Sequence, residues 1–140
     1  MFMTSDYRYI PVFLLMALFL FRYSTCNKPP YVPDYNNVKG YVIGKETCDT
    51  DSTKDYWLID LTYRLNTPQY GDTLYLNGVT YTNVIKTKGL SARLKEVGMK
   101  VSMDFKIITP DKVETTDCDV GAPVTYNLQE LFIINQGEIR

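Results

Sequence analysis

Residues 38–48 read VKGYVIGKETC, an extended pattern that is interrupted by Gly40 and Gly44 and ends at Cys48. A glycine inside a strand typically marks a bulge, or a place where another backbone comes close. A first strand that curls through a small barrel needs such bends. The stretch therefore predicts the opening strand of a small β-barrel, with Cys48 at its far end.

The residues that follow carry further strand patterns. Trp57, Ile59, Leu61 and Tyr63 fall on one face of an extended stretch, with Asp60 and Thr62 on the other, which predicts a half-buried strand. Asn77-Gly78 is a strong hairpin signal between two extended stretches. The predicted strands after the first are Tyr56–Tyr63, Asp72–Leu76, Val79–Lys86, Lys100–Ile108 and Val124–Asn135.

A short helix is predicted between the hairpin and the next strand. Leu90, Leu94 and Val97 have the spacing of one apolar helical stripe, with Ser91 as N-cap and Gly98 as the stop. With the hairpin counted as the third strand, this order of elements predicts an all-β domain over 38–140, a five-stranded OB-like Greek-key barrel with a helix between strands three and four. A small antiparallel β-sandwich is the alternative.

The amino terminus has the features of an export signal. Ile10–Phe21 is an apolar run of twelve residues, whereas a membrane-spanning helix needs about 20. We expect a signal peptide over 1–25 and a proline-rich tether over 26–37. Cys26 is then the candidate lipidation residue, although Tyr23 and Thr25 depart from the usual lipobox. Simple cleavage and a retained membrane anchor are the alternatives.

The cysteine count agrees with export. The chain has three cysteines and no histidine. Once Cys26 is lipidated or removed, Cys48 and Cys118 remain, and in an oxidising compartment such a pair is usually a disulfide. The bridge would close a loop of about 70 residues and stabilise the fold by roughly 4 kcal/mol. Two unrelated buried thiols are the alternative, and a zinc site lacks ligands.

Acidic residues gather in two loops that this disulfide would join. The first contains Asp49, Asp51 and Asp55, and the second is Asp111–Asp119. Clustered carboxylates can hold calcium, but Lys54 stands where a calcium-binding loop needs glycine. Solvated surface acids are the favoured interpretation, and no metal or cofactor is predicted.

Aromatic and basic residues suggest possible contact surfaces. Four tyrosines could stack on sugars or on a partner, although packing within strands explains them equally: Tyr41, Tyr56, Tyr75 and Tyr126. Basic residues concentrate around the predicted helix, where they could face anionic lipid or form a solvated surface: Lys86, Lys88, Arg93, Lys95 and Lys100.

Catalytic signatures are missing from the sequence. Without histidine, a Ser-His or Cys-His dyad is impossible, and no nucleophile-elbow or nucleotide-binding glycine motif occurs. The formal net charge of −1 disfavours nucleic acid as a partner. A non-enzyme is therefore predicted, and a hydrolase that uses a carboxylate pair is the less favoured alternative.

Several phrases resemble a known group of proteins. They are GYVIGKETC at 40–48, GDTLYLNGVTYTNVI at 71–85, LKEVGMKVSMDFKI at 94–107 and IINQGEIR at 133–140. Together they resemble small uncharacterised envelope lipoproteins of Bacteroidota with a single β-domain. The resemblance implies an envelope lipoprotein with one β-domain and brings no known activity, and we expect an exported protein anchored at the outer membrane. We expect a non-catalytic protein that presents a barrel face to a protein or glycan partner, or an accessory subunit of an envelope complex.

Overall fold

A computed structural model describes residues 35–64, 66–107 and 112–139, all within one compact unit, Pro33–Arg140. Its strands are β1 Asn36–Lys45, β2 Trp57–Asp60, β3 Asp72–Leu76, β4 Val79–Thr87, β5 Lys100–Lys106, β6 Lys112–Val113, β7 Leu128–Gln129 and β8 Phe132–Glu138. The all-β prediction is confirmed, because strands make up 49% of the described residues. The predicted signal peptide 1–25, the predicted lipidation residue Cys26 and nearly all of the predicted tether 26–37 lie outside the described residues.

Six strands form one antiparallel sheet in the order β3-β4-β2-β1-β5-β8, and β6 pairs with β7 separately. The predicted closed five-stranded ladder is not formed, because β3 occupies most of the outer edge of β4. Beyond β3, an isolated parallel bridge joins Lys86 of β4 to Glu130, and the Leu131 N–H donates to the Lys86 carbonyl at 3.1 Å. The sheet is therefore not closed, and this single bridge links β4 to the residues just before β8.

The two glycines of β1 have the predicted roles. A Cβ added at Gly40 would lie 2.5 Å from the Asp60 carbonyl oxygen and 2.8 Å from Cγ2 of Ile59. The register between β1 and β2 shifts between Val42 and Gly44, as at a bulge. Gly40 thus allows close backbone approach and Gly44 lies at the bend.

The inner face of the sheet encloses the main core. Side chains alternate along β5, where Val101, Met103 and Phe105 are buried and their neighbours are not. Leu90 and Leu94 fill the same cluster from the segment between β4 and β5. Burial here confirms the period-two pattern that predicted β5.

The helix between β4 and β5 is shorter than the two turns that the sequence predicted. Only Ala92–Leu94 forms a 3-10 helix, and Ser91 makes no side-chain capping bond. Val97 is 65% exposed, because the chain leaves the helix and turns toward β5 at Gly98, whose φ is +91°. In the residues that the structure describes, no helix is long and apolar enough to cross a membrane.

A second core lies on the outer face of the sheet. Leu58, Leu74 and Val84 form a separate cluster with Leu128. Leu128 belongs to residues 112–129, which we call the strap. Because the strap covers this face, all four residues of β2 are buried. The prediction that β2 exposes one face is therefore wrong.

Candidate functional site

The disulfide fastens the strap to the end of β1. The Sγ atoms of Cys48 and Cys118 are 2.11 Å apart, with 4.6 Å between their Cα atoms, which agrees with the predicted pair. The Asp119 N–H donates to the Cys48 carbonyl at 2.9 Å, and two further 2.9 Å bonds join the backbones of Thr47 and Val124. Backbone bonds therefore hold the part of the strap that follows the disulfide against Thr47 and Cys48.

Beneath the strap lies a sealed ion pair. The side chains of Lys86 and Glu46 are both 0% exposed, and the ammonium donates to Oε1 of Glu46 at 2.9 Å. The same ammonium donates to the Thr115 hydroxyl at 2.9 Å and to the Tyr126 carbonyl at 2.7 Å. All three of its donors are therefore satisfied.

The strap also satisfies the carboxylate of this pair. The Thr115 hydroxyl donates to Oε2 of Glu46 at 2.8 Å, and the Tyr126 N–H donates to Oε1 at 2.9 Å. The prediction that Lys86 belongs to an exposed basic surface is wrong, because its side chain points under the strap. Of the other predicted basic residues, Lys95 donates to the Thr53 carbonyl at 3.0 Å, and Lys88, Arg93 and Lys100 are exposed.

The ring of Tyr56 packs against the ammonium group of Lys86. The Lys86 and Lys88 ammonium groups each lie 4.6 Å from the centroid of its ring. The pKa of Tyr56 is raised to about 12, chiefly by burial. The charge of Glu130, the hydrogen bond between Glu130 and the phenol, and the charge of Glu46 raise it further. Tyr56 is therefore a protonated core residue rather than an exposed stacking surface.

The predicted acidic loops do not form a cluster. Asp55 is 2% exposed and accepts hydrogen bonds from the N–H groups of Cys48 and Asp49, both at 3.0 Å. Burial by itself would raise the pKa of Asp55, but these bonds and Lys45, 3.3 Å away, lower it below its ordinary value. Among the described residues, no group of three acids could hold a metal ion, and Asp111 lies outside them.

An open cleft lies at the opposite end of β1 from the disulfide. It has a volume of about 290 Å³ and is lined by Asn37, Val38, Lys39, Arg64, Asn66, Thr67 and Pro68. We call it the basic cleft. In the described part of the chain, the side chains of Lys39 and Arg64 form no ion pair or hydrogen bond. Two unpaired cations therefore line one small depression.

The turn after β2 builds the far wall of the basic cleft. Asn66 has a left-handed φ of +71°, and the Thr67 hydroxyl donates to the Arg64 carbonyl at 2.9 Å. Buried Asn83 anchors the end of the turn, since its amide donates to the Pro68 carbonyl at 3.0 Å and its oxygen accepts from Gly71 N–H at 2.8 Å. The wall is therefore fixed to β4.

Tyr41 and Tyr63 lie close along the chain to the cations of the basic cleft, although neither lines it. Tyr41 follows Lys39 on the same face of β1, and its ring lies 5.3 Å from the ring of Tyr63 between centroids. Tyr41 and Tyr63 are half-buried, as is Tyr126, whereas Tyr75 is 70% exposed on the hairpin. Sequence analysis did not single out Lys39 or Arg64. Arg64 is a polar residue in the turn after β2, but no local signal places Lys39 of β1 near it.

Comparison with family models, with curated proteins and with solved structures finds no match to this chain. The expected likeness to Bacteroidota envelope lipoproteins stays a prediction.

Proposed function

We propose that this protein is an exported, non-catalytic binding module. Its lipid anchor would be Cys26, and its β-domain would bind a glycan or a protein of the cell envelope. The apolar run Ile10–Phe21 and the Cys48–Cys118 pair at bonding distance support export, because disulfides persist in oxidising compartments.

The sealed ion pair is the observation that carries the non-catalytic proposal. Glu46, Lys86 and Tyr56 are the groups whose surroundings are most unusual, and such groups are the first candidates for chemistry. Their bonds are all made within the protein, and both charged side chains are fully buried. A substrate cannot contact them while the strap is in place. The basic cleft is open, but its lining includes neither a carboxylate nor a thiol.

An OB-like barrel is the architecture that we propose for the domain. Support comes from the pairing of β1 with both β2 and β5, from the 3-10 helix between β4 and β5, and from the parallel bridge at Lys86 and Glu130. In OB-folds, the loops after strand one and before strand five usually frame the ligand. Here the corresponding loops are tied together at Cys48 and lie on the sheet, so a ligand would bind elsewhere.

An accessory role in an envelope complex is the second candidate. β3 is an edge strand of the sheet, and no charged residue occurs from Thr73 to Ile85. Natural edge strands are commonly protected by charges or proline. The neutral hairpin, with Tyr75 70% and Val79 49% exposed, suits the addition of a partner's strand.

The test assays the oxidised mature protein for turnover and binding in parallel. Hydrolysis of glycosides, esters and peptides is measured beside retention on purified envelope glycans and capture of envelope proteins. Binding without turnover is the expected result. Turnover that is lost in Asp49→Asn or Asp117→Asn would support the hydrolase instead. Incorporation of labelled fatty acid should disappear in Cys26→Ala, and its persistence would overturn the anchor.

A further inference from the structure

We infer that the basic cleft is a subsite for an acidic sugar, a pyranose that carries a carboxylate, with Lys39 and Arg64 holding the carboxylate. This inference rests on the proposed binding function and specifies its ligand class.

The first argument is the charge of the cleft. The cations Lys45, Lys86 and Lys112 each face a carboxylate, at 3.3, 2.9 and 2.7 Å respectively. Lys39 and Arg64 have no such partner in the described residues, although the chain as a whole is slightly acidic. Two like charges that line one cleft repel each other, and a bound anion removes that repulsion. A guanidinium and an ammonium together offer the donors that a carboxylate accepts.

The second argument is the pattern of neutral polar groups around these cations. The Asn37 amide already donates to Oδ1 of Asp104 at 2.7 Å, so its own oxygen is left to accept. The Thr67 hydroxyl donates to a backbone carbonyl and likewise keeps its acceptor lone pairs. The Asn66 amide has no partner in the described residues. Acceptors and donors placed beside two cations match sugar hydroxyls beside a carboxylate.

The third argument is size and shape. A volume of about 290 Å³ is at the small end of ligand clefts, which begin near 300 Å³. The cleft thus suits one sugar ring rather than a long chain. Outside the lining, Tyr41 and Tyr63 lie two residues and one residue along the chain from Lys39 and Arg64, and their rings pair with centroids 5.3 Å apart. A sugar that extends beyond the cleft would find there an apolar surface of the kind that the faces of a pyranose contact.

The neighbouring cleft limits where the anion can bind. It is about 240 Å³ in volume, shares Asn37 with the basic cleft and contains Asp104. The carboxylate of Asp104 accepts from Asn37 at 2.7 Å and from Asn135 at 3.3 Å. This negative charge repels a second anion. A glycan that crosses both clefts would therefore place its acidic sugar on Lys39 and Arg64, with a neutral sugar next to it.

Titration calorimetry of the oxidised mature protein at low salt tests the inference. The probes are a uronic acid trisaccharide, its methyl ester, a neutral glucose trisaccharide and inorganic phosphate. We expect the uronate to bind, and the ester and neutral sugar to bind at least about tenfold more weakly, since charge-assisted hydrogen bonds contribute about 1.5–3 kcal/mol, which is tenfold or more in affinity. Phosphate that binds as tightly as the uronate would reduce the site to a general anion site and overturn the sugar assignment.

Matched variants locate the binding site. Lys39→Gln and Arg64→Gln should each weaken uronate binding about tenfold or more, whereas Lys54→Gln, an exposed lysine outside the cleft, should leave it unchanged. In the unaltered protein, uronate should shift the backbone amide resonances of residues 37–39 and 66–67. Uronate binding that survives both cleft variants, or amide shifts elsewhere, would overturn the inference.

The controls separate this inference from the proposed function. Binding of a neutral glycan or an envelope protein without uronate binding would reject the acidic-sugar subsite and leave the binding module intact. Failure of every glycan and every envelope protein to bind would reject both.

Discussion

Replacing Lys86 with methionine should destabilise the domain more than any change at the surface. The substitution keeps the length of the side chain but removes the cation, so the fully buried Glu46 carboxylate loses its counter-charge. Thr115 and Tyr126 would still donate to that carboxylate, yet neither carries a charge. Breaking a buried ion pair by removing one partner typically costs about 3–5 kcal/mol. For a domain of roughly 100 residues that corresponds to a fall in Tm of about 12–20 °C.

The assay is urea unfolding followed by circular dichroism, with the disulfide intact. Lys88→Met is the matched control, because Lys88 contacts the same Tyr56 ring at the same 4.6 Å but is exposed. It should cost less than about 1 kcal/mol. Glu46→Gln combined with Lys86→Met should recover much of the loss, since no uncompensated charge remains. If Lys86→Met cost no more than the Lys88 control, the pair would not be buried as described.

Other predictions concern the backbone, the disulfide and pH. Gly40→Ala should lower the free energy of unfolding by about 1–3 kcal/mol or more through overpacking, because the added Cβ would lie 2.5 Å from a carbonyl oxygen. Gly137→Ala is the control in the same urea assay, because an added Cβ there would meet nothing within 4 Å. Reduction of the disulfide should lower the free energy of unfolding by about 4 kcal/mol, and an unchanged urea midpoint would contradict this. Because the pKa of Asp55 is lowered in the folded state, the ionised carboxylate stabilises the fold at pH values above the ordinary Asp pKa. This stabilisation is lost as the pH falls through the lowered pKa. Asp55→Asn should therefore reduce the dependence of the unfolding free energy on pH in the acidic range. Because the pKa of Tyr56 is raised to about 12, the protonated phenol stabilises the fold fully below about pH 10. This stabilisation is lost as the pH rises through about 12, and Tyr56→Phe should remove the corresponding fall in unfolding free energy at alkaline pH.

The sequence predicted correctly those strands and turns whose pattern is contained in a few neighbouring residues. The Asn77-Gly78 turn lies between β3 and β4, with Asn77 and Gly78 both at positive φ, as the hairpin signal requires. β5 alternates strictly because one of its faces meets the core. The close contact at Gly40 was predictable because a glycine weakens a strand unless a bulge or a neighbouring backbone requires it.

The features that failed depend on parts of the chain that are far apart. Lys86 resembles a surface lysine in sequence, and its partners Glu46 and Tyr126 are each 40 residues away. β2 is buried on both faces only because the strap returns over it. Lys39 and Arg64 converge through a turn whose position depends on the buried amide of Asn83. No window of local sequence contains these contacts.

The route by which the chain reaches its native state follows from the order of these contacts. Glu46 is bonded to Thr115 and Tyr126, which are 69 and 80 residues further along the chain, and contacts of such separation form late. Until the strap docks, Lys86 and Glu46 face water beside the apolar side chain of Leu58, which is paired with Lys86 across β2 and β4. Charges next to exposed apolar strands oppose intermolecular pairing. The ion pair that the native protein encloses would thus protect the partly folded chain from aggregation.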